Sequence, residues 1–128
     1  MCGYISKFNI THLVNLKDIK CQYSTITDEA VNNFPESLEI INLNGCTDIS
    51  EFNIKHLINL RKIKCENSTI TDEAVNNFPE SLEIIYLKVC KDISMFNIKH
   101  LVNLKEIKCG NSMIADEAVN NLQRQLWL

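Results

Sequence analysis

Leu60-Arg61-Lys62-Ile63-Lys64-Cys65-Glu66-Asn67-Ser68-Thr69-Ile70 decides the fold, because the chain spells a close copy of it elsewhere. Leu16-Lys17-Asp18-Ile19-Lys20-Cys21-Gln22-Tyr23-Ser24-Thr25-Ile26 sets the same leucine, isoleucine, cysteine and serine in the same places, 44 residues earlier. Cys109, Phe8, Phe52, Phe96, His12, His56 and His100 keep that spacing too. Between 16–59 and 60–103 only ten positions change: 17, 18, 22, 23, 42, 44, 45, 47, 51 and 58. A finer period lies inside the long one, since Leu16, Leu38, Leu60, Leu82, Leu104 and Leu126 are 22 apart. The intervening units read Leu38, Ile41, Leu43, Cys46, Ile49 and Leu82, Ile85, Leu87, Cys90, Ile93. A fixed short period marks a stack of similar units, so residues 1–128 are read as one domain of about five 22-residue repeats.

Alternate side chains of a strand share a face, so the fourth and sixth positions of each repeat are expected to enter a core together. The ninth position, Ser24, Cys46, Ser68, Cys90 or Ser112, then marks a turn. After it, Thr27-Asp28-Glu29-Ala30-Val31-Asn32-Asn33-Phe34 predicts a short helix, with a hydroxyl or carboxylate capping free amides and acids at its positive end. Pro35 stops it. Ser50-Glu51-Phe52-Asn53-Ile54-Lys55-His56-Leu57 is expected to do similar work in the even repeats, with Phe52 and Leu57 inward. No unit of this size can bury its apolar face alone, so stability must come from stacking on neighbours.

The recurring L-x-x-I-x-C/L pattern resembles the leucine-rich-repeat family across nearly the whole chain. The resemblance implies an α/β solenoid, an arc with parallel strands on its concave face and short helices on its convex face. Cysteine at the ninth position followed by Ile-Thr-Asp-Glu-Ala resembles the cysteine-containing repeats of F-box ubiquitin-ligase adaptors, whose repeats are longer. Phe-Pro-Glu-Ser-Leu-Glu-Ile-Ile and Phe-Asn-Ile also look like repeat arrays of amoebae and the giant viruses that infect them. Because Cys2, Ile5, Ser6, Phe8 and Asn9 align with Cys46, Ile49, Ser50, Phe52 and Asn53, the chain opens inside a repeat, and no ligase-docking module is expected.

Composition limits the functions available. The formal charge of −3 leaves no basic excess to draw a polyanion, so no nucleic-acid partner is expected. No apolar run approaches the roughly 20 residues that span a bilayer, and Met1-Cys2-Gly3-Tyr4 lacks a signal peptide's apolar core. No membrane partner and a cytoplasmic location are therefore expected, and Asn9-Ile10-Thr11 and Asn67-Ser68-Thr69 read as chance matches to a glycosylation pattern. Six cysteines contain no C-x-x-C and follow the repeat, which predicts reduced structural thiols and no metal site. The histidines recur two repeats apart, about 10 Å on a strand spacing near 4.8 Å, too far to share a ligand. They are read as surface or half-buried. With no phosphate loop and no nucleophile beside a base, neither a cofactor nor an enzymatic activity is expected.

That leaves binding. Positions three, five, seven and eight should project from the strands onto the concave face. They hold Asp18, Ile40, Lys62, Ile84 and Glu106; Lys20, Asn42, Lys64, Tyr86 and Lys108; Gln22, Asn44, Glu66, Lys88 and Gly110; and Tyr23, Gly45, Asn67, Val89 and Asn111. Six of the ten differences between the long units fall here, whereas Glu29, Asn32, Asn33, Glu36, Lys55 and His56 on the helix side are unchanged. Ile40, Ile84, Tyr86 and Val89 beside lysines form an apolar strip suited to a protein partner. The expected function is non-enzymatic protein–protein interaction. Its rivals are an ordinary exposed sheet in a non-binding fragment, and the recognition part of an F-box adaptor without its F-box. Neither end carries a cap, and Trp127 and Leu128 are expected either to plug the last repeat or to favour end-to-end self-association.

Overall fold

The computed structural model describes residues 9–94 and 97–109, and its backbone is a five-stranded parallel sheet with few short helices, an α/β arrangement. In chain order the elements are β1 (Asp18–Lys20), α1 (Asp28–Asn32), β2 (Ile40–Asn42), β3 (Lys62–Lys64), α2 (Asp72–Asn76), β4 (Ile84–Tyr86) and β5 (Glu106–Lys108). Each strand pairs with the next in sequence, in the order β1-β2-β3-β4-β5. The register follows the leucine period: Ile19 stands opposite Ile41, Ile41 opposite Ile63, Ile63 opposite Ile85 and Ile85 opposite Ile107. A slip of one residue would turn every core side chain outward, so the inward isoleucines hold this register.

One continuous core lies behind the sheet. Ile41, Ile63 and Ile85, with Cys21, Leu43, Cys65 and Leu87 at the sixth position, are fully buried. Leu38, Leu60 and Leu82 close it at the start of each strand, and Phe34, Phe52 and Phe78 fill it from the other side. Phe52 and Phe78 stack with ring centroids 6.3 Å apart and planes 22° from parallel, so aromatic packing crosses from one repeat into the next. Each such aliphatic or aromatic residue contributes about 1.5–3 kcal/mol when covered.

The connections depart from expectation in three ways. Both helices have five residues and are shorter than the predicted octet. The chain leaves α1 through Asn33 and Phe34, whose amides donate to Ala30 and Val31, and Pro35 forbids another turn. Thr27 and Thr71, which precede the helices, make no side-chain capping bond; Thr71 Oγ1 instead donates to the Ser50 carbonyl of the preceding repeat, at 3.0 Å. The predicted helix over 50–57 does not form. Asn53 Oδ1 takes the Lys55 amide at 3.0 Å, and Leu57 and Leu60 donate to Ile54 and Leu57 in successive tight turns. A short amide side chain that captures a nearby N–H competes with the helical bond that would propagate a helix. Phe52 and Leu57 nonetheless point inward.

Candidate functional site

Because the parallel register aligns equivalent positions, side chains flanking each inward isoleucine form rows across the sheet. One row runs Asp18, Ile40, Lys62, Ile84, Glu106 and the other Lys20, Asn42, Lys64, Tyr86, Lys108. Asp18, Lys20 and Lys108 are exposed; the other members are half-buried. Lys62 stands between Ile40 and Ile84, so the expected apolar strip is interrupted by a charge. Tyr86 lies in the other row, on the same strand as Ile84. The Lys62 ammonium lies 5.1 Å and the Lys108 ammonium 4.5 Å from the Tyr86 ring centroid, approaching from the two neighbouring strands. A ring face attracts a cation through its quadrupole, which holds both stems across the sheet surface.

The turn that follows each strand places the eighth residue in the left-handed region, at φ 57° for Tyr23, 71° for Gly45, 56° for Asn67 and 58° for Val89. Glycine and asparagine tolerate this; a β-branched valine does not. Tyr23, 77% exposed, lays its ring over Gly45, where an added Cβ would collide with Tyr23 Cδ1 and Cε1. Asn42 and Asn44 each commit the side-chain oxygen to backbone. Asn42 Oδ1 accepts the Asn44 amide at 3.0 Å, and Asn44 Oδ1 accepts the Glu66 amide at 2.8 Å. Gln22 and Lys88 are exposed, Glu66 is half-buried, and Gly110 and Asn111 lie outside the described residues.

Stasis on the helix side has a structural cause that sequence comparison alone did not reveal. Asn32 Oδ1 accepts the Asn53 amide at 2.7 Å, Asn33 Nδ2 donates to Glu29 O at 2.9 Å, and His56 Nε2 donates to Phe34 O at 3.0 Å. Asn76, Asn77 and His100 repeat all three bonds in the next unit. These residues tie one repeat to another or close their own helix, so their constancy no longer measures how freely an unconstrained surface drifts. The concentration of differences on the strand face carries correspondingly less weight. The histidine bonds also account for the 44-residue spacing of His56 and His100, each of which meets the phenylalanine carbonyl 22 residues before it.

The ninth positions form a ladder beside the sheet. Cys46 Sγ donates to the Cys21 carbonyl and Cys90 Sγ to the Cys65 carbonyl, each at 3.0 Å, while Ser68 Oγ donates to Cys65 O at 2.7 Å. Hydroxyl and thiol neighbours meet at 3.8 Å for Ser24–Cys46 and 3.9 Å for Ser68–Cys90. Cys46, Cys65, Cys90 and Cys109 are free thiols. Burial, with Cys90 and Cys46 nearby, pushes the Cys65 thiol well up; burial also raises Cys90, against the lowering effect of its bond with Ser68, and raises Cys109. Cys21 corrects the expectation of free thiols throughout: it is disulfide-bonded. Cys65 is walled in by described strands on both sides, Cys21 on one side only, and spacing along the chain does not encode that difference. The bond also removes reduced cysteine as an argument for a compartment.

Among the described residues no group of three His, Cys, Asp or Glu is placed to hold a metal ion, and no helix is long and apolar enough to cross a membrane. A surface depression is lined by Thr11, Val14, Lys17, Glu36, Ser37 and Asn59, none of which belongs to the candidate rows. Trp127 and Leu128, on which the expectation of end-to-end association rests, lie outside the described residues. No family model matches the chain, and no curated protein matches it in sequence.

Proposed function

We propose that this chain is a leucine-rich-repeat solenoid whose outward strand face binds a protein partner without performing chemistry. Support for the architecture comes from the register: parallel strands follow one another in sequence order at a constant offset, and a single core runs behind them. The observation that carries the function is the pair of side-chain rows in which Ile84 and Tyr86, side by side on β4, lie half-buried beside lysine stems of the two neighbouring strands. Aromatic and aliphatic groups ringed by charge are the usual anchors of a protein interface. A cytoplasmic setting is part of the proposal, and the Cys21 disulfide weighs against it.

Capture of proteins from a lysate of the source cell tests the reading. The wild-type chain should retain a defined partner, which Ile40→Ala/Ile84→Ala/Tyr86→Ala should lose and the opposite-side variant Lys55→Ala should keep, with circular dichroism unchanged in both. Equal capture by the triple variant, or no specific capture by any form, would count against it and favour a repeat array with no binding role.

A further inference from the structure

The chemistry of the partner can be read one step further from how charge is arranged along the strands. Immediately before each strand the second position of the repeat alternates in sign: Lys17, Glu39, Arg61, Glu83, Lys105. These charges neutralise one another across the sheet, with Lys17–Glu39 at 3.8 Å, Arg61–Glu39 at 3.6 Å and Lys105–Glu83 at 3.5 Å. Within the strands the pattern changes. Lys62, Lys64 and Lys108 make no ion pair among the described residues, yet all three stand at Tyr86: Lys62 and Lys108 over its ring, and Lys64 as its register partner on the next strand. Glu106, in the same row as Lys62, forms no ion pair with them either. Neighbouring strands are about 4.8 Å apart, so these ammonium groups fall within about one Debye length and repel one another. The ring quadrupole offsets only part of that repulsion. An incoming anion would relieve the rest, and this is the only stretch of described sheet where unpaired like charges are gathered around an aromatic ring.

We infer that the Tyr86 site takes an acidic segment of the partner protein, with carboxylates seated among Lys62, Lys64 and Lys108 and an adjacent apolar side chain against Tyr86 and Ile84; the inference rests on the proposed protein-binding role. A protein segment fits better than a nucleic acid. Asp18 and Glu106 share the face and the whole chain is negative, which opposes a continuous polyanion, whereas a peptide spaces its charges and supplies apolar groups between them. Electrostatic complementarity of this kind acts mainly on specificity and on the rate of encounter.

Fluorescence anisotropy with a labelled peptide of glutamate and alanine around a central leucine tests the site directly. The peptide should bind, should weaken about tenfold as salt rises from about 0.05 M to about 0.2 M, and should weaken about tenfold in Lys62→Gln/Lys64→Gln, whose circular dichroism should match wild type. The same peptide with lysine in place of glutamate should not bind. Absence of binding by the glutamate peptide, binding indifferent to the two substitutions, or tighter binding of a thymidine oligonucleotide of equal charge would overturn the inference. The lysate experiment keeps the two claims apart. A partner retained by Lys62→Gln/Lys64→Gln but lost by the triple alanine variant would leave the protein-binding role standing and remove the acidic segment.

Discussion

At the scale of single residues, the eighth position of each repeat has the clearest energetic signature. Val89 sits at φ 58°, a conformation that costs an L-residue roughly 1–2 kcal/mol and a β-branched one no less. It is 37% exposed, so burial offsets only part of the strain. Val89→Gly is therefore expected to raise unfolding free energy by about 1 kcal/mol in urea titrations, net of glycine's greater freedom in the unfolded chain. Gly45→Ala should do the opposite by a similar amount, since it introduces the same strain and drives a Cβ into the Tyr23 ring. A second residue-scale expectation concerns Cys65. Burial, then the neighbouring Cys90 and Cys46, raise its pKa above that of an unfolded thiol, so on alkalinisation the unfolded chain loses its proton first. Stability from this group is complete below the unfolded thiol's value, about 8.5, and is lost as pH rises toward the folded one, at up to about 1.4 kcal/mol per pH unit. Denaturation between about pH 8 and about pH 10 should show a shallower decline in Cys65→Ala than in wild type, because other alkaline titrations are common to both. Equal slopes would mean that the thiol ionises as freely in the fold as out of it.

At the scale of elements, polar side chains that resemble helix caps turn out to be struts between repeats. Asp28 Oδ1 accepts the Ser50 amide at 2.8 Å, while its Oδ2 accepts the Ser50 hydroxyl and the Glu51 amide, each at 3.0 Å. Asp72 holds the Ser94 amide at 2.9 Å and the Ser94 hydroxyl at 3.1 Å in the same manner. Hydrogen bonds to a charged acceptor are worth more than neutral ones, and Asp28→Ala is expected to cost about 2 kcal/mol in thermal or urea unfolding. Asp28→Asn, which keeps an acceptor oxygen but not the charge, should cost less. A loss confined to helix content would restore the capping role that the sequence pattern implies. Strands, register and the inward isoleucines were all legible, because a period of two inside a period of 22 leaves one consistent arrangement. The missing helix over 50–57 was not, since Phe52 and Leu57 face inward equally well from tight turns and the decision rests with the Asn53 side chain. For the candidate face, alternation named Tyr86 and the lysines, but only the three-dimensional register brought Lys62 and Lys108 onto one ring. Neither the left-handed valine nor the disulfide at Cys21 had any sequence signal: valine is the wrong residue for that backbone, and Cys21 obeys the same spacing as the free Cys65.

At the scale of the molecule, the consequence of this connectivity is that, among the described residues, the strands cohere neighbour to neighbour. Each strand packs against the next in sequence, and the Phe52–Phe78 stack, the Cys–Ser ladder and the aspartate struts likewise join units in close succession. In such an array a lesion matters according to how many interfaces it touches. Ile63 is fully buried with strands on both sides, whereas Ile19, in β1, is half-buried with one described neighbour. Ile63→Ala is thus expected to cost about 2–5 kcal/mol, the range for deleting a buried aliphatic side chain, and Ile19→Ala a fraction of that despite identical chemistry and repeat position. Hydrogen exchange should show the same gradient, with the Cys65 amide, bonded to Tyr86 O at 2.9 Å, more protected than amides of β1. In Ile63→Ala, protection should fall on both sides of β3, because the substitution weakens two interfaces at once. Equal losses for the two isoleucines, or uniform exchange along the sheet, would mean that the chain unfolds as one globular core and that its stability does not propagate from repeat to repeat.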